Sequence, residues 1–265
     1  MKVRIKFSKT GSMKFIGHLD VMRYFQKAIR RSGLDVSYSQ GFNPHQLISF
    51  AAPLGVGLTS DGEYMDMQME SSPSSAEVLE RLNGAMNEEI RVKSYVELEP
   101  DSKNAMSIVA AADYCVSIKD GYEFPEDFQQ RFDTFLTQEK IMMRKKTKKS
   151  EREIDVKPYI YHVAYTAEEF AKQTGTPVEN TVAEQYANGK KLYMQITTGS
   201  VVNIKPEMIL ESFCQYAQIP YEPFAYQIHR MEVYADLNAD TKVDVEEYGK
   251  NRNLVTLESF GYRID

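Results

Sequence analysis

Apolar residues in this chain recur with two different periods, and the order in which those periods alternate is what most restricts its fold. Residues 3–7 (VRIKF) alternate at period two, as a strand buried on one face does. Residues 19–32 instead place Met22, Phe25 and Ile29 at helical spacing, with Asp20 in the first turn and Gly33 where a C-terminal cap belongs. Residues 63–69 alternate again, 74–87 are helical through Ala76, Val78, Leu79 and Leu82, and 90–98 alternate once more. With residues 46–50 as a further strand, the order is β-α-β-β-α-β, the ferredoxin-like motif.

The second half repeats the pattern. Strands are expected at 112–118, 140–144, 190–197 and 226–233, an extended segment at 154–165, and helices at 125–137 and 206–218, the last opened by Pro206 at its first position. Residues 166–189 fit no element of the repeat and read as an insertion. The expected architecture is α+β: two tandem ferredoxin-like domains facing a common cleft. One spans residues 1–103, the second 104–235, and 236–265 form a polar tail.

Charge is unevenly spread along this order. The chain carries a net −6, yet its first 50 residues hold nine Lys/Arg against Asp20 and Asp35. Such segregation gives an acidic protein one face able to meet a polyanion. No run approaches the ~20 apolar residues a membrane span requires, and residues 1–15 lack the apolar stretch of a signal peptide. Cys115 and Cys214 stand far apart in apolar surroundings and read as buried thiols of a reducing, cytoplasmic setting.

Residues 38–57, YSQGFNPHQLISFAAPLGVG, crowd glycine and proline among aromatics. Glycine allows backbone conformations closed to other residues and proline fixes φ, so the stretch describes an irregular backbone held in one shape. Tyr38, Gln40, Gly41, Phe42, Asn43 and Pro44 form its recognition-loop candidate, whose aromatics either stack on a base or pack the loop onto the core. Arg23, Lys27, Arg30 and Arg31 share one helix face, which either grips phosphates or is simply solvated. Residues 140–152 hold seven basic residues and one acid, with Lys145, Lys146, Lys148 and Lys149 as the centre of an RNA-contacting arm or of a solvated hairpin tip.

His18, Asp20 and His45 are the candidates for proton transfer. The alternative is that His18 and Asp20 cap the helix while His45 bonds backbone within its loop. Their spacing lacks a metal signature, and LGVGL at 54–58 lacks the lysine or third glycine of a nucleotide loop, so no metal or cofactor is expected. Arg230, beside His229 on the last strand, is placed to pair with an acid or to face the space between the halves.

The stretches FIGHLDVMRYFQKAIRRSGL (15–34), YSQGFNPHQLISFAAPLGVGLTSDGEYMD (38–66), EIDVKPYI (153–160), TGSVVNIKPEMILESF (198–213) and IHRMEVY (228–234) resemble the radical-SAM-linked proteins of the domain-of-unknown-function 2344 family. The resemblance implies a partner that works beside a radical-SAM enzyme. This chain has no closely spaced cysteine trio to hold an iron–sulfur cluster, so it resembles the stand-alone form without the radical domain.

These observations lead to a non-catalytic RNA-binding or substrate-presenting partner of a radical-SAM enzyme, acting on RNA such as tRNA or rRNA, or in ribosome-associated processes, away from membranes. One alternative is a metal-independent ribonuclease or RNA-modifying enzyme using His18 and His45. The other is a protein–protein adaptor that meets no nucleic acid.

Overall fold

Alternation in the first residues produces a strand, β1 (Lys2–Lys9), whose Val3, Ile5 and Phe7 are buried together with Val21, Phe25 and Ile29 of the first helix, α1 (His18–Ser32). Gly33 ends α1 in the left-handed conformation, φ +66°, as its position after the last apolar repeat requires. The chain continues through β2 (Ile48–Phe50), β3 (Thr59–Gln68), α2 (Ser75–Gly84) and β4 (Ile90–Leu98). A short helix, α3 (Ala105–Ile108), leads into β5 (Val109–Ile118), α4 (Phe128–Leu136), β6 (Met142–Lys146), β7 (Glu151–Asp155) and β8 (Ile160–Ala164). Then come α5 (Ala167–Thr174), β9 (Lys191–Thr197), α6 (Pro206–Ala217), β10 (Tyr226–Asp236), β11 (Leu254–Thr256) and β12 (Gly261–Tyr262). The computed structural model describes residues 1–146, 151–178, 183–200, 202–239 and 251–265.

The protein is a mixed α+β fold: six α-helices and one large mixed sheet among the described residues. Its strand order is β12-β4-β1-β3-β10-β5-β9-β8, with β2 on β3 and β11 on β10. Neighbours in this main order run antiparallel except β3 and β10, which are parallel and meet at only two register positions, Thr59 with His229 and Ser60 with Arg230. That short contact joins the first half of the chain to the second, so one sheet runs continuously through both.

Side-chain parity separates the two faces of this sheet. Val3, Ile5, Met65 and Met67 pack under α1 and α2, while Tyr114, Val116, Leu192 and Met194 join the core containing Phe132 of α4 and Phe213 of α6. These four helices lie on one face. On the other, Cys115 and Tyr193 pack against Phe170 of α5, so the segment read as an insertion covers part of the face that the four helices leave free. Both cysteines are buried free thiols.

Two segments depart from the expected pattern. The strand expected at 140–144 is β6, which pairs with β7 in a separate two-stranded hairpin; β8 takes the place beside β9 in the main sheet. The segment read as a polar tail contributes β11 to β10 and β12 to the edge strand β4, with Leu257 fully buried between them. No helix among the described residues is long and apolar enough to cross a membrane.

Candidate functional site

The glycine- and proline-rich loop is fixed by its own hydrogen bonds. A bridge joins Tyr38 to Gln46, the Ser39 amide donates to the His45 carbonyl at 2.8 Å, and the Ser39 hydroxyl meets His45 Nδ1 at 2.8 Å. Gly41 at the turn has φ +113°, a conformation other residues rarely adopt. Gln40, Gly41, Asn43 and Pro44 are exposed, and Phe42 stands fully exposed at the tip with Tyr38 partly exposed at the base. An aromatic ring held out by an ordered loop is placed for contact, since nothing in the core receives it.

The loop follows α1 after a short connection. Arg23, Lys27, Arg30 and Arg31 all lie on exposed positions of that helix. Arg23 pairs with Asp20 at 3.2 Å, and Arg31 donates to the Ala85 carbonyl at 2.6 Å. Lys27 and Arg30 meet no hydrogen-bonding or ionic partner among the described residues. His18 sits edge-on to Phe50, ring centroids 5.2 Å apart, whereas His45 bonds Ser39, so His18, Asp20 and His45 are held by separate neighbours. Lys148 and Lys149 lie outside the described residues, and Lys145 and Lys146 enter only as backbone pairs of β6 with β7.

A second concentration of polar groups surrounds the β3–β10 junction. On the helix-covered side, Arg230 forks onto Glu63, with Nε to Oε1 at 2.7 Å, and donates from its second arm to the Ala52 carbonyl at 2.7 Å. The Ser60 hydroxyl donates to the Arg230 carbonyl at 2.8 Å. Lys9 lies buried nearby; burial holds its pKa below the usual lysine value, the Glu63 charge opposing that shift and the Arg230 charge adding to it.

On the opposite side, His229 Nε2 lies 2.8 Å from Asp61 Oδ2 and Nδ1 lies 2.8 Å from the Thr59 hydroxyl. Ionised Asp61 only accepts, so Nε2 carries a proton. Lys93 donates to the other Asp61 oxygen at 2.6 Å. Burial alone would raise the Asp61 pKa, but the hydrogen bonds from His229 and Lys93 outweigh it and hold the carboxyl well below its ordinary value. Lys6 reaches Glu232 at 2.6 Å and Glu258 at 2.9 Å, and the Tyr64 hydroxyl donates to Glu232 at 2.8 Å. Burial works against the Lys6 charge, yet the two carboxylates hold its pKa above the usual value.

Beside these pairs, Asp113 of β5 stands opposite Glu232 in the register of β5 and β10. Its Oδ2 accepts from the Tyr234 hydroxyl at 2.7 Å. Burial pushes the Asp113 carboxyl up to about 7, against the opposing effects of Tyr234 and Gln195. Lys6, Asp61, Lys93, Asp113 and Glu232 line a cavity of about 350 Å³ on this face, closed on one side by Thr176, Pro177 and Val178 beyond α5.

Of these groups, sequence reasoning singled out Arg230, with pairing to an acid as one of two alternatives, and missed the rest. Asp61 and His229 lie 168 positions apart, and each is an ordinary polar residue on its own strand. The one available signal was the run of acids in SDGEYMD at 60–66, too many for a strand buried on both faces unless cations meet them.

A family model described as "Uncharacterized protein conserved in bacteria (DUF2344)" matches residues 2–206. No curated protein matches the chain. Among solved structures, a chain in a crystal structure of a Cbf5–Nop10–Gar1 complex aligns at 9% identity with a TM-score of 0.42, over 87% of this chain and 48% of that one. The present chain thus spans about half the length of that match.

Proposed function

The chain belongs to the DUF2344 family, and from its fixed aromatic loop and cationic helix we propose that it is a non-catalytic RNA-binding protein that presents its RNA to a radical-SAM enzyme. The observation that carries this reading is Phe42, fully exposed at the tip of a hydrogen-bonded loop that follows α1 after a short connection. Single-stranded nucleic acid is held by such a pairing: cations track the phosphates while an exposed ring stacks on a base. The radical-SAM companion comes from the sequence resemblance, and the target is RNA such as tRNA or rRNA. We also read each half as a ferredoxin-like unit. The orders β4-β1-β3-β2 and β10-β5-β9-β8 support this, each placing the fourth strand of its half beside the first and the third beside the second.

The test is fluorescence anisotropy with a labelled single-stranded RNA over a range of salt. Wild type binds with a marked salt dependence. Reversing Arg23, Lys27 and Arg30 to Glu weakens binding and lowers the slope of log K against log salt by about 2, at ~0.7 per phosphate. Phe42→Ala weakens binding by roughly 1–3 kcal/mol without altering the slope. No binding at low salt, or binding that the triple reversal leaves unchanged, overturns the reading.

A further inference from the structure

The cavity on the α5 side of the sheet holds a buried carboxyl group that no cation of its own walls meets. Lys6 is shared between Glu232 and Glu258 at 2.6 and 2.9 Å, and Lys93 is engaged by Asp61 at 2.6 Å. Both cations on the wall are therefore already neutralised by carboxylates. Asp113 has no cation partner among the described residues. It is 2% exposed, it lines the cavity, and its Oδ1 makes no hydrogen bond of acceptable geometry, with Gln195 lying alongside. A buried carboxylate oxygen with no donor carries a desolvation penalty of several kcal/mol unless something supplies one.

Its charged neighbour sharpens the imbalance. Glu232 faces Asp113 directly across β10 and β5, and like charges opposite each other on adjacent strands repel. Burial, only partly offset by Lys6, raises the Glu232 pKa as well. Met231, Pro177 and Val178 give the remaining wall its apolar part, beside Thr176 and Tyr234. The space suits a small body with an apolar stem and a positively charged, hydrogen-donating head. No group of three or more His, Cys, Asp or Glu among the described residues is positioned to hold a metal ion, which favours an organic cation over a metal.

We propose that this cavity binds a compact organic cation, a protonated amine or a guanidinium, with Asp113 as its counter-ion and hydrogen-bond acceptor. The ligand's N–H donates to Oδ1 while the Tyr234 hydroxyl keeps Oδ2 in place. Thr176 and Pro177 form the lip over which the ligand enters. The site lies on the sheet, apart from the loop and helix to which RNA binding is assigned, so either assignment stands if the other fails.

The experiment is isothermal titration calorimetry of the full chain with agmatine, with putrescine, and with uncharged n-butylurea. Agmatine separates guanidinium from simple ammonium recognition when compared with putrescine. Saturable binding of at least one cation is expected, with none for the urea. Asp113→Asn, which preserves side-chain shape, weakens it at least tenfold. Thr176→Trp, made at an exposed residue of the lip, weakens it by narrowing the entrance, and Asp113 itself is left unchanged. Circular dichroism and urea midpoints confirm that both variants fold. Absence of saturable heat from either cation at millimolar concentration overturns the proposal, as does an affinity equal in wild type and both variants.

Discussion

Replacing Glu63 by glutamine removes the negative charge that lies between two buried cations. Glu63, Arg230 and Lys9 are 4%, 3% and 2% exposed, so water reaches none of them to compensate. Arg230 forks onto Glu63, and the same carboxylate is the charge that favours ionised Lys9. Breaking a buried pair by deleting one partner costs about 3–5 kcal/mol, because the other charge is left uncompensated. For Glu63→Gln that range applies fully, since two cations lose their counter-charge together. Arg230→Met costs less, because Glu63 keeps Lys9 nearby. With a urea slope of about 3 kcal/mol/M, the Glu63→Gln midpoint falls by roughly 1–1.7 M. Equilibrium urea unfolding followed by circular dichroism measures both variants under one condition. A Glu63→Gln variant within 1 kcal/mol of wild type, or an Arg230→Met variant that is the more damaged, would refute the reasoning.

Two further outcomes follow from the same junction. The folded pKa of Asp113, about 7, lies above its ordinary value of 3.8, so proton binding favours the folded state. Stability is therefore greatest near and below pH 4 as far as this group is concerned, and is lost as pH rises through about 7. Asp113→Asn removes that decline and is more stable than wild type at pH 8, by up to roughly 4 kcal/mol. Urea midpoints measured from pH 5 to 8 test this, and parallel profiles for the two proteins would contradict it. Gly62→Ala places a Cβ 2.7 Å from both the Glu232 Cα and the Met231 carbonyl, backbone atoms that cannot swing away. A loss of about 1–3 kcal/mol is expected from the forced separation of β3 and β10. Thermal unfolding reads it, and an unchanged midpoint would show that the strands separate freely.

Much of this architecture is written locally. The apolar spacing of Phe25 and Ile29 makes α1 and selects its buried face, Gly33 stops it in the left-handed conformation, and Pro206 starts α6, each through contacts within a few residues. The irregularity of the 38–46 loop was equally legible, because glycine and proline act on their own backbone. The strand expected at 140–144 looked like a member of the main sheet, since period two reports which residues share a face and says nothing about which strand lies alongside. Only the tertiary structure decided that β3 meets β10.

The same limit explains the polar site. Strict alternation puts Arg230 and Glu232 on one face, but a bulge at Met231 turns them to opposite faces, Arg230 beside Tyr114 and Glu232 beside Asp113. A companion irregularity around Gly62 separates Asp61 from Glu63 in the same way, sending one to His229 and the other to Arg230. Sequence by itself determined the elements, their caps and the loop that carries Phe42. Which charges meet was decided by strand neighbours some 170 positions apart, because burial compels a charged group to find a partner without specifying where in the chain that partner lies.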